Sequence, residues 1–92
     1  MTTHDLKCWP EFFPFVQSGA KPFEVRKNDR DYKMGDLLKL REWSPATKEY
    51  TGQFVFRKVT YITNNSNFVL LGHIIMGLAP PLQHQGTWHV VT

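Results

Sequence analysis

Gly19-Ala20-Lys21-Pro22-Phe23-Glu24-Val25-Arg26-Lys27-Asn28-Asp29-Arg30 is the stretch on which the fold turns. A helix should stop at Gly19, since glycine tolerates the left-handed backbone that closes a helix. A strand should start at Pro22 and run to Lys27. Its alternation sets Phe23 and Val25 on one face and Glu24 and Arg26 on the other. The apolar pair is expected in a core, with Glu24 and Arg26 side by side on the opposite face. Lys21 stands at the strand's entrance, and the polar run from Asn28 to Lys33 forms a turn beyond its exit.

Upstream, Thr3 to Trp9 alternates and reads as a first strand, with His4, Leu6 and Cys8 on one face and Asp5, Lys7 and Trp9 on the other. A helix is expected from Pro10 to Ser18, with Phe12, Phe13, Phe15 and Val16 forming its apolar stripe. Pro14 fits only if it falls in the first turn, because an interior proline costs about 3 kcal/mol. Downstream, Leu37 to Trp43 sets Leu38, Leu40 and Glu42 against Leu37, Lys39, Arg41 and Trp43. Ser44 to Glu49 is a loop by composition. Phe54 to Thr63 reads as a long strand, and Asn64 to Asn67 as a turn into an antiparallel strand from Phe68 to Met76. Gly72 inside that strand suggests a bulge. Residues 77–92 read as a tail or a closing edge strand over Thr87–Val91.

Ninety-two residues make one domain, residues 1–92, with a thin core. Five or six short strands with one early helix give an α+β class: a small mixed β-barrel with that helix packed against it. A net charge of +3 permits binding of nucleic acid without demanding it. The single cysteine, Cys8, excludes an internal disulfide and a cysteine-only metal site, which suits a cytoplasmic location. The N-terminal residues do not resemble a signal peptide. No apolar run approaches the ~20 residues of a membrane-spanning helix. The histidines, His4, His73, His84 and His89, lack metal-site spacing, so no metal and no cofactor is expected.

Lys21, Glu24 and Arg26 are the principal candidates for chemistry. An ammonium and a guanidinium attract phosphate, the guanidinium in a fork. A carboxylate between them can hold both cations, accept a base N–H or act as a general base. From spacing alone, the same three residues read first as an exposed ion-pair cluster worth ~0–1 kcal/mol per pair. Lys7 could reach the same place if the first strand lies beside the motif strand, and His4 is either a hydrogen-bonded core residue or a ligand contact. Trp9 and Trp43 are stacking platforms or core aromatics. Arg30 is a phosphate clamp or an exposed turn residue.

The pattern Gly19-x-Lys21-x-x-Glu24-x-Arg26 resembles the signature of the ASCH domain, a branch of the PUA-like superfamily of small β-barrels. His4-x-Leu6-Lys7 before it, Gly35-Asp36 after it and the later Leu71-Gly72 agree. The run Phe-Glu-Val-Arg-Lys-Asn-Asp-Arg and the strand Leu-Arg-Glu-Trp are also similar to a small single-domain ASCH-like family of bacteria and phages. The resemblance implies a cleft between helix and barrel lined by Lys21, Glu24 and Arg26. It also implies a nucleic-acid ligand, most readily RNA: Lys7, Lys21 and Arg26 would meet phosphates, Glu24 a base edge, and aromatics would stack. Some ASCH proteins of this size are amidohydrolases acting on acylated cytidine, and others are linked to RNA cleavage. In a hydrolase of that kind Lys21 would be the activated amine and Glu24 the acid/base. This chain departs from the amidohydrolase pattern, with Glu24 where a threonine is expected and Leu71-Gly72-His73 where a second acid is expected. Binding is therefore the favoured expectation and hydrolysis the alternative.

Overall fold

The computed structural model describes residues 1–81. Its elements follow one another as β1 (Thr3–Cys8), α1 (Phe13–Ser18), β2 (Phe23–Lys27), β3 (Leu37–Ser44), β4 (Glu49–Thr63) and β5 (His73–Ala79). One sheet holds all five strands in the order β1-β3-β4-β5-β2. β1 runs parallel to β3, and the other pairings are antiparallel. The two edge strands, β1 and β2, nevertheless meet through side chains. Arg26 Nη2 donates to the Lys7 carbonyl at 2.5 Å, and Arg30 Nη1 donates to the Asp5 carbonyl at 3.0 Å. Only a sheet curled on itself allows that contact, so the architecture is a half-barrel whose open seam is bridged by two arginines. The possible sixth strand at Thr87–Val91 lies outside the described residues.

The core fills the concave side. Leu6 and Cys8 of β1, Leu38 and Leu40 of β3, Val59 of β4 and Ile74, Met76 and Leu78 of β5 all point inward, meeting Phe13 and Val16 of α1. Each large side chain so buried contributes about 1.5–3 kcal/mol. Alternation therefore sorted the inward faces of β1 and β3 correctly.

The helix is shorter than the expected Pro10–Ser18. Phe12 and Phe13 donate to the Trp9 carbonyl in a preceding turn, and α1 starts at Phe13. Pro14 thereby falls in the first turn, where its missing N–H has no intrahelical partner to lose. Gly19 ends the helix at φ 89°, as the sequence predicts. No side chain caps the helix N-terminus, but its C-terminal end is held by Arg57, which was not anticipated. The guanidinium Nη2 donates to the carbonyls of Val16 (3.2 Å) and Gln17 (2.8 Å) from the middle of β4. A cation there complements the helix dipole, giving the Gln17 carbonyl a donor and the Val16 carbonyl, which already accepts from Gly19 N, a second one. Arg57→Ala is expected to cost about 1–2 kcal/mol, read as a lower urea midpoint with faster amide exchange confined to α1.

Two expectations need correction. The alternation of β2 holds, but its faces are inverted. Glu24 is buried at 5% exposure, whereas Phe23 and Val25 are 43% and 49% exposed. Register with β5 decides this, because Glu24 pairs with Met76 and Arg26 with Ile74, whose side chains belong to the core. The second concerns Phe68 to Leu71, which form no strand. Phe68 N and Val69 N both donate to the Asn65 carbonyl in a turn, leaving only Val69 buried. Gly72, at φ 84°, leads into β5 from outside it rather than bulging within it.

Between β2 and β3, Asp36 ties the chain's start to the sheet. Its Oδ1 accepts from Thr2 N at 3.1 Å and its Oδ2 from Lys33 N at 3.0 Å. His4 Nε2 lies 2.8 Å from Oδ2, and the His4 ring packs on Tyr32 at 4.7 Å. His4 is thus a core histidine, away from the motif cluster.

Candidate functional site

Curling of the sheet leaves a cleft of about 380 Å³ between the end of β1, the turn before α1 and the start of β2. Lys7, Cys8, Trp9, Phe12, Lys21, Glu24, Val25 and Arg26 line it. Among them Glu24 binds both cations, with Arg26 Nε donating to Oε2 at 2.6 Å and Lys21 Nζ to Oε1 at 3.4 Å. The carboxylate is nearly dry, while each cation keeps about a quarter of its side chain exposed: 24% for Lys21 and 25% for Arg26. Charge-assisted bonds of this kind are roughly twice as strong as neutral ones.

The two cations play unequal parts. Arg26 is a strut, tied to Glu24 by Nε and to the Lys7 carbonyl by Nη2. Lys21 is held more loosely. It donates to the Phe23 carbonyl at 3.1 Å and sits over the rings of Phe23 (4.8 Å) and Phe12 (5.7 Å). A cation set against ring faces at a cleft's rim can be shared with an incoming anion.

Trp9, 46% exposed, and Phe12 form the apolar walls. Phe12 was expected in the helix's buried stripe. It lies one position ahead of the helix start, so the helical period does not carry it into the core. Lys7 lines the cleft and its carbonyl accepts from Arg26, while its ammonium sits 4.2 Å from the Trp43 ring centre. Trp43 itself is outside the cleft. Arg30 is also elsewhere, lining a second hollow of about 360 Å³ with Leu6, Lys27, Tyr32 and His73, on the other side of Arg26.

Cys8 closes the inner wall. Burial pushes its thiol up to about 11, the nearby Glu24 carboxylate adds to this, and Lys21 and Arg26 oppose it without prevailing. At neutral pH it is a small apolar wall rather than a nucleophile. Opposite it on β3 stands Glu42, which no sequence argument singled out and which is buried like Glu24 and Asp36. Its Oε1 accepts from Thr51 Oγ1 at 2.8 Å and Gln53 Nε2 at 3.3 Å. The register of β3 with β4 shifts between Arg41 and Trp43, on either side of Glu42. Alternation had placed Glu42 with Leu38 and Leu40, which was the available signal.

Among the described residues no helix is long and apolar enough to cross a membrane. Comparison with known proteins adds relatives whose function is equally open. The chain is 37% identical over 82 residues to an "Uncharacterized 12.9 kDa protein in GpA 3'region" of Escherichia phage P2, covering 86% of this chain and 73% of that protein. Residues 3–78, from the start of β1 almost to the end of β5, match the family described as "Domain of unknown function (DUF3850)". That span includes every element that builds the cleft, and the chain belongs to the DUF3850 family.

Proposed function

We propose that this protein is a nucleic-acid-binding module, for RNA in the first instance, that takes one base with its flanking phosphate into the cleft. The observation that carries the reading is the cleft itself: a buried carboxylate clamped between two cations, walled by Trp9 and Phe12. Its volume of about 380 Å³ is near the lower end of small-ligand sites, roughly 300–1,000 Å³, and so suits a single nucleoside. Trp9 offers a face for stacking, Lys21 an ammonium for phosphate, and Glu24 lone pairs for a base N–H. Arg26 holds the carboxylate in place. The overall charge of +3 favours the same ligand class.

The arrangement also supports placing the family in the PUA-like superfamily, as an ASCH-type half-barrel whose seam two arginines bridge. In support, Lys21 before β2 and Glu24 and Arg26 on β2 border a cleft beside the early helix. A reducing cytoplasm suits a chain whose cysteine is buried and unpaired. Hydrolysis is less well served. Each oxygen of Glu24 already accepts from a cation, which orders charge rather than offering a free base.

Titration of a short single-stranded RNA at 50 and 200 mM salt tests the proposal. Micromolar affinity is expected, falling about 2.6-fold between the two salts for the one phosphate contacted. Lys21→Ala and Trp9→Ala should each weaken binding by about tenfold with circular dichroism unchanged. Wild-type affinity in both variants sinks the cleft as the binding site.

A further inference from the structure

The convex side of the sheet carries a second surface, built on β3 and β4 and facing away from the cleft. Inward-facing Leu38, Leu40 and Glu42 leave Lys39, Arg41 and Trp43 on the outer face. Cross-strand pairing sets Phe56 beside Lys39, Phe54 beside Arg41 and Tyr50 beside Trp43. Cations and rings therefore interleave. Arg41 lies 3.8 Å from the Tyr50 ring centre, Lys39 4.5 Å from Phe54, and Lys7, from β1, 4.2 Å from Trp43. Tyr50 and Phe54 are 42% and 50% exposed, though an antiparallel sheet ordinarily puts polar side chains on its wet face. Asp5, 3.5 Å from Arg41, is the acidic residue paired into this face among the described residues.

We propose that this face is a stacking platform for single-stranded nucleic acid, separate from the cleft. Charge selects the occupant, since Lys7, Lys39, Arg41 and Lys58 outnumber Asp5, so a polyanion is favoured. The rings narrow it further, because a strand with unpaired bases presents a π-face at each nucleotide along with its phosphate. Lys39 and Arg41 stand two positions apart on one strand, about 7 Å. They form a short row of positive charge flanked on β4 by aromatic faces. The guanidinium plane of Arg41, already stacked on Tyr50, can extend that stack to a base. The ammoniums of Lys7 and Lys39 lie against rings from which they can swing to phosphates.

The test is fluorescence anisotropy with ten-nucleotide oligouridine and oligothymidine, against Tyr50→Ala, Phe54→Ala, the double variant Lys39→Glu/Arg41→Glu, and Lys21→Ala. Loss of about tenfold in each aromatic variant, and more in the double variant, is expected. Lys21→Ala should also lose affinity for the long strands, through the cleft, and combined with Tyr50→Ala it should lose more than either variant alone. Photocrosslinking of a 4-thiouridine strand to the wild type should label the β3–β4 segment, a readout that stands even if a variant fails to fold. Wild-type affinity in the Tyr50 and Phe54 variants overturns the platform. Loss confined to Lys21→Ala overturns it too while leaving the cleft reading intact. Binding to phosphatidylserine vesicles without binding to either oligonucleotide, or labelling outside β3–β4, also overturns it.

Discussion

Glu24→Ala is expected to remove about 3 kcal/mol of stability, the low end of the cost of breaking a buried ion pair. The carboxylate is 5% exposed and holds two cations, so its loss leaves Lys21 and Arg26 facing one another with no counter-charge. The low end applies because both cations still reach water. The consequence spreads, because Arg26 also spans the seam to the Lys7 carbonyl. For a chain this size, with a total stability of about 5–14 kcal/mol, the midpoint of thermal unfolding should fall by about 12–24 °C. Urea unfolding with an unchanged m-value gives the free energy directly. Glu24→Gln, which keeps the shape and loses the charge, should lie between alanine and wild type. A change under about 0.5 kcal/mol for Glu24→Ala would return the cluster to the class of exposed ion pairs.

Asp36 is the second position of large effect, and its signature is acid sensitivity. Burial alone pushes its carboxyl up, but hydrogen bonds from His4, Thr2 N–H and Lys33 N–H outweigh burial and hold it below its ordinary value. A carboxyl depressed in the folded state contributes stability that is whole above its unfolded value, about 3.9. That contribution drains away as pH falls through the folded value. Wild-type stability from this source should therefore be flat above about pH 5 and decline below about pH 4. Asp36→Asn is expected to cost about 2–4 kcal/mol at pH 7, since an amide can keep at most part of the acceptor set. It should also flatten the acid limb of stability against pH. Equal acid sensitivity in variant and wild type would mean that other carboxylates govern it.

Much of this architecture is legible in the sequence because local signals and tertiary demands agree. Gly19 ends its helix where the left-handed backbone requires a glycine, and His4, Leu6 and Cys8 alternate inward as read. The loop after Ser44 appears where proline and polar residues place it. What could not be read is whatever depends on a distant partner. In β2 the period was plain but its sense was not, because its five residues offer Phe23, Val25 and Lys27 to one face and Glu24 and Arg26 to the other. Met76 and Ile74, far along the chain, settle the choice. The turn at Asn65 likewise overrides four apolar residues that propensity alone would extend into a strand. Of the candidate site, Lys21, Glu24, Arg26 and Trp9 converge, since three of them share one short motif. Phe12 joins them only because Pro14 moves the start of the helix.

The order of the strands also sets a timetable for synthesis. Among the described residues β2 finds its backbone partner in β5 alone, so Phe23 must wait for Gly77. At about 5–20 residues per second the ribosome needs several seconds to supply that partner. Meanwhile β1, β3 and β4 can assemble, but the strand that carries the cleft's chemistry has nothing to pair with. A nascent strand with bare Phe23 and Val25 invites association with its neighbours. Lys21, Glu24, Arg26 and Lys27, interleaved with those apolar residues, keep it charged through the delay. The residues that complete the cleft thus also act as its gatekeepers before it exists.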